Sequence, residues 1–121
     1  MVGAIDGDTK MHERPYGRGY VKLTERENSL WPLAHDQTLH AHEFHYSSID
    51  GLDPDLAYAY DVQRGAGINH EFDGLIRNNL LASYCHLRHT AMTPWVTRFL
   101  TFVKSVKSSQ TNGITKAFNA P

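Results

Sequence analysis

The sequence predicts part of an α/β sheet: four or five short strands in succession, closed by a single C-terminal helix. Extended runs alternate with turn clusters from Gly19 to His86, and a helical apolar stripe begins after Thr93. A complete parallel fold is excluded. Each parallel crossover requires a helix, and neither a second persuasive helix nor a strand–Gly-rich loop–helix unit is present.

The first strand is Gly19-Tyr20-Val21-Lys22-Leu23-Thr24, rich in β-branched and aromatic residues, and residues 25–37 read as loop. Residues 39–48 form the next strand, ended by the turn cluster Asp50-Gly51-Leu52-Asp53-Pro54. Leu56–Val62 is a third, closed by Gly65-Ala66-Gly67. Beyond Asp73-Gly74, Leu75-Ile76-Arg77 and Leu80–His86 give two more, joined through Asn78-Asn79, a pair that tolerates tight-turn geometry.

Thr93 suits a helix N-cap and Pro94 the first helical position, where its missing N–H costs nothing. Trp95, Val96, Phe99, Leu100, Phe102, Val103 and Val106 recur at helical spacing, opposite Thr97, Arg98, Thr101, Lys104 and Lys107. That stripe must dock on something. Ser108 to Pro121 are small, polar and punctuated by Gly and Pro, so the domain reads as 1–107 with a frayed tail over 108–121.

A chain of 121 residues, 40% of them hydrophobic, makes one small domain or part of a larger one. Net charge is −1 and the twelve basic residues are scattered, which argues against nucleic-acid or membrane partners and for small molecules or proteins. A single cysteine excludes an intrachain disulfide. No apolar run approaches the roughly 18 residues of a membrane span. The chain reads as cytoplasmic.

His40-Ala41-His42-Glu43-Phe44-His45-Tyr46-Ser47-Ser48 packs imidazoles, a carboxylate and hydroxyls into one extended run. Alternation puts His40, His42, Phe44 and Tyr46 on one face and Glu43, His45 and Ser47 on the other. A half-exposed edge strand explains any single histidine, but three together point to a site. One alternative is a metal, because His40-x-His42-Glu43 resembles the His-x-His of cupin-type barrels. The later Glu and His that such a barrel needs, bracketed by glycines, are not evident. Cys85 and His86 are neighbours in a strand, so their side chains diverge and do not form a nucleophile–base pair. Cys85 reads as a small buried side chain.

Several blocks carry a resemblance. Met1-Val2-Gly3-Ala4-Ile5, Met11-His12-Glu13-Arg14, Gly19-Tyr20-Val21 and His42-Glu43-Phe44-His45-Tyr46-Ser47 come first; Gly74-Leu75, Asn79-Leu80-Leu81-Ala82-Ser83-Tyr84 and His86-Leu87 follow. In order and spacing they resemble the C-terminal part of the cobyrinic acid a,c-diamide synthase family, and equally a relative proposed to amidate a sirohaem-type tetrapyrrole. The resemblance spans about residues 1 to 90. It implies the C-terminal portion of a class I, triad-type glutamine amidotransferase domain, flavodoxin-like in fold. There a cysteine attacks the glutamine side-chain amide, ammonia leaves, and water hydrolyses the thioester.

By the same resemblance His86 is the activating base, while the family's nucleophilic cysteine lies in a Gly-Cys-Gly-Gly-like elbow upstream of the blocks present here. Many triad glutaminases place Glu two residues after the histidine. This chain has Arg88 there, which leaves Glu43 and His45 as candidate orienting groups. No cofactor is expected in the chain, since ATP and Mg belong to the family's synthetase domain. The implied partners are glutamine, the N-terminal glutaminase half, that synthetase domain and a tetrapyrrole substrate. The chain is thus expected to be inactive alone, as a fragment, split-gene product or remnant, Met1 matching an interior methionine of the family pattern. A non-catalytic assembly module pairing through an exposed sheet edge is the other alternative.

Overall fold

Alternating apolar and polar residues make Gly17–Glu25 (β2) and Thr38–His45 (β3) an antiparallel ribbon with one buried face. Val21 stands opposite Ala41 and Leu23 opposite Leu39, and all four are buried. The computed structural model describes residues 3–31 and 38–118, with side chains described through Ser109. Ala57–Arg64 (β5), Phe72–Arg77 (β6), Leu80–Ala82 (β7) and His86–Leu87 (β8) extend the ribbon to six strands in the order β7-β6-β5-β2-β3-β8. Asp8–Met11 (β1) and Ser47–Asp50 (β4) form a separate pair. One helix follows, Trp95–Phe118 (α1).

The class is the expected one, several strands and a C-terminal helix as in part of an α/β domain. Every pairing among the described strands is antiparallel, as a chain without crossover helices requires. The core gathers Val21, Leu23, Leu39, Ala41, Ala59, Tyr60 and Cys85, with Val62, Ile76, Leu81, Leu87 and Trp95 packed against it. Gly74 is needed there. Its φ is 68°, and a Cβ would lie 2.7 Å from the ring of Tyr60.

The boundaries differ from the sequence reading in instructive ways. The run 39–48 breaks at Tyr46, because the chain changes partners: β3 pairs with β2 as far as His45, and β4 then pairs with β1. The Tyr16 N–H donates to the His45 carbonyl at 2.9 Å and the His12 N–H to that of Tyr46 at 2.8 Å, bridging the step. The run 80–86 is two strands. Asp73, fully buried, accepts the backbone N–H groups of Tyr84 and Cys85 at 3.1 and 3.0 Å and the Ser83 hydroxyl, so those amides turn inward. Asn78 takes a φ of 54° in the β6–β7 hairpin, as its turn chemistry suggests.

β1 was not expected, being exposed throughout. Of the loop read over 25–37, Glu25 ends β2, and residues 32–37 lie outside the described residues. At the helix start, the Val96 N–H that Thr93 was expected to cap is taken by His89 Nδ1 at 3.3 Å. The helix backbone runs to Phe118, through the start of the segment read as a tail; Ser108 and Ser109 return their hydroxyls to the carbonyls of Lys104 and Ser105. Residues 119–121 lie outside the described residues. The helix docks through Trp95 and through Trp31, whose ring meets Phe99 and Phe102 at 5.3 and 5.5 Å. Among the described residues no helix is long and apolar enough to cross a membrane.

Candidate active site

The alternation of β3 builds two chemically distinct faces. His40, His42, Phe44 and Tyr46 are exposed on one, whereas Glu43 is buried and His45 and Ser47 are half-buried on the other, as the spacing requires. The two faces must be considered separately.

On the buried face Glu43 is 2% exposed, and its carboxylate is held chiefly by two backbone amides. Oε1 accepts the Ala66 N–H at 2.8 Å and Oε2 the Gly67 N–H at 2.9 Å. Consecutive amides in this Gly-Ala-Gly loop, with Gly65 and Gly67 at φ of 132° and 53°, form an anion-binding nest that compensates the buried charge. His45 donates from Nδ1 to the Ser47 carbonyl at 2.8 Å, which leaves Nε2 facing Glu43 Oε2 at 3.5 Å. Its ring lies flat on Tyr84, with centroids 3.9 Å apart, and the Tyr84 hydroxyl meets Ser47 Oγ at 2.9 Å. Gly17 leaves room for this arrangement, since a Cβ there would lie 2.1 Å from His45 Nε2.

His12 and His70 lie beside this face. His12 Nε2 is 2.9 Å from Ser48 Oγ and its ring stacks on Tyr16, which leans on both His45 and His70. Cys85 also faces inward, its Sγ 4.0 Å from Glu43 Oε2. Burial pushes the thiol's pKa up, and the nearby Asp73 and Glu43 carboxylates add to the effect. A thiol so held stays protonated, the opposite of what a nucleophile needs. The Tyr60 hydroxyl is shifted upward too, by burial first and then by Glu25, Asp73 and Cys85.

On the open face His86 pairs with His42 across β3 and β8, their ring centroids 6.4 Å apart. Tyr20, 80% exposed, stands edge-on to His42 at 6.1 Å. These side chains, with Thr38, His40, Arg88, Thr90 and Met92, border a cavity of about 520 Å³. β8 is the last strand of the sheet, so His86 sits at an open edge.

Of the three site residues read from the sequence, Glu43 and His45 are therefore together and His86 is apart, on the other face. Sequence reasoning missed Asp73, which fixes the turn carrying Cys85 and His86, and Tyr84, the lid on His45. The signal for Asp73 was a carboxylate inside the apolar run Phe72–Ile76, read instead as a turn. Among the described residues no group of three His, Cys, Asp or Glu side chains is arranged to hold a metal ion.

Residues 1–93 match the family of CobB/CobQ-like glutamine amidotransferase domains. The cobyrinate a,c-diamide synthase of Magnetococcus marinus is 36% identical over 95 residues, covering 78% of this chain and 20% of that protein. That of Methanosphaera stadtmanae is 36% identical over 96 residues, with 78% and 20% covered. That of Methanosarcina barkeri is 31% identical over 117 residues, with 91% and 22% covered. The chain thus spans about a fifth of the length of these relatives. No solved structure matches the chain at a significant level. With the family pattern matched over residues 1–93, the chain belongs to the CobB/CobQ-like glutamine amidotransferase domain family.

Proposed function

We propose that this chain is the distal part of a glutaminase domain that supplies ammonia for amidating a tetrapyrrole carboxylate, and that His86 is its base. The supporting observation is the division of labour between neighbours. His86 is open to a cavity at an edge strand, while the chain's single thiol, on Cys85, is buried on the opposite face and kept protonated. The nucleophile is then a cysteine carried outside these 121 residues.

His86 takes that cysteine's proton, and the thiolate adds to the side-chain carbonyl carbon of glutamine. The imidazolium returns the proton to the nitrogen as the carbon–nitrogen bond breaks, ammonia departs, and a glutamyl thioester remains. His86 next removes a proton from water, which attacks the thioester to give glutamate and the free thiol. Glu43 and His45 touch none of the reacting atoms in this reading. They are positioning residues, Glu43 tying the 65–67 loop to the strand that carries His42. Cobyrinate, the substrate in the relatives' names, is the substrate class the family match favours.

The test is reconstitution. Alone, the chain should release no ammonia from glutamine above buffer. Mixed with a polypeptide bearing the cysteine elbow and synthetase domain of a relative, it should support glutamine-dependent amidation of a tetrapyrrole dicarboxylate. Turnover by the isolated chain that is lost in Cys85→Ser would refute the proposal.

A further inference from the structure

The cavity beside His86 has an uneven charge. Its border carries the guanidinium of Arg88, the imidazoles of His40, His42 and His86, and hydroxyls from Tyr20 and Thr38, and among the described residues no carboxylate. Arg88 is exposed and makes no ion pair among the described residues. A guanidinium with no acid beside it among the described residues is suited to an anion, and its planar fork matches a carboxylate with two parallel hydrogen bonds. Two nearby carboxylates are committed elsewhere: Glu43 and Asp73 are buried away from this cavity and held by backbone amides.

Placement gives the anion an identity. Positions 86 and 88 border one cavity, so a carboxylate held by Arg88 keeps the rest of its molecule in that cavity, beside the imidazole read as the base of a glutaminase. We propose that Arg88 is a carboxylate-binding residue of this cavity, holding the α-carboxylate of glutamine so that the side-chain amide lies beside His86. The inference rests on His86 being the base. The carboxylates of a tetrapyrrole share this chemistry, and the experiment separates the two sources.

The 121-residue chain would be titrated with L-glutamine, with L-glutaminamide, whose α-carboxylate is an amide, and with a tetrapyrrole polycarboxylate. Binding is read from the NMR signals of the Arg88 Nε–H and the His42 and His86 rings. Glutamine should bind more tightly than glutaminamide, and Arg88→Gln should weaken glutamine about 10- to 100-fold, the loss expected for a charged hydrogen-bonded pair, without changing glutaminamide. Arg88→Lys should keep part of the affinity, as a point charge without the fork. An Arg88-dependent response to the tetrapyrrole alone would support the carboxylate subsite and assign it to that substrate. No response to either carboxylate, or glutamine binding unaltered in Arg88→Gln, would overturn the proposal. His86→Asn separates the two readings: it should still bind glutamine through Arg88 while losing turnover on reconstitution. Turnover that persisted with that binding would reject the base and leave the subsite standing.

Discussion

Cys85 and His86 are consecutive in the chain, yet the Cys85 thiol lies 4.0 Å from the Glu43 carboxylate while the His86 ring stands 6.4 Å from His42 on the opposite face. The turn that separates them is made by Asp73, whose carboxylate draws the Tyr84 and Cys85 amides inward. One residue thus has the environment of a core group and the next that of a site.

The raised thiol pKa of Cys85 has a signed consequence for stability. Folded and unfolded chains both carry the neutral thiol at pH 7; as pH rises past about 8.5, only the unfolded chain ionises, so the folded state loses stability. Cys85→Ala should abolish this alkaline loss between pH 8 and 9.5, measured by urea unfolding at each pH. Tyr58 and Tyr60, also shifted upward, act by the same sign only above the ordinary tyrosine range near 10. A parent chain as stable at pH 9.5 as at pH 7.5 would contradict the assignment.

Glu43→Gln should destabilise the fold by about 2 kcal/mol, because a charged acceptor is lost and the amide nitrogen confronts one of the two backbone N–H groups it served. Amide exchange at Ala66 and Gly67 should accelerate more than exchange at Val21 or Leu39. Uniform acceleration would mean that Glu43 does not act through the 65–67 loop.

Gly17→Ala should cost about 1–3 kcal/mol through overpacking, since its Cβ meets His45 and Glu43 and the imidazole cannot retreat past Tyr84. The ring-current shift of His45 protons under Tyr84 is the specific readout. It should diminish in Gly17→Ala and persist in Lys22→Ala, an exposed position on the same strand.

The helix leaves apolar surface open, with Phe99 37%, Leu100 51% and Val103 43% exposed. Purified alone, the chain should bind a dye for apolar surface and self-associate in sedimentation. Replacing Leu100 and Val103 by Lys should reduce both, and a monodisperse parent that binds no dye would count against an uncovered face.

Local patterning carried much of the fold. The period of two across His40 to Ser47 assigned each side chain to its face, and the Asn78-Asn79 hairpin followed from turn chemistry alone. What escaped was written in distant partners. Nothing near Ser83 announces a strand break, because the group that makes it, Asp73, is ten residues away in sequence. The partners of Glu43, Ala66 and Gly67, likewise lie more than twenty residues on, and nothing next to Glu43 announces them. The contacts of His12 with Ser48 and Tyr16 come with the β1–β4 pairing, which an all-exposed strand does not signal.

The most direct test of the central claim is the His86→Asn chain in the reconstituted amidation, driven in parallel by glutamine and by free ammonia. Loss of the group that activates the cysteine and protonates the departing nitrogen should lower the glutamine-driven rate by about 10²–10⁴-fold, with the ammonia-driven rate unchanged. His45→Ala should lower it less. Glutamine-driven activity that survives His86→Asn but is abolished by His45→Ala would contradict the account and move the base to the strand from Thr38 to His45.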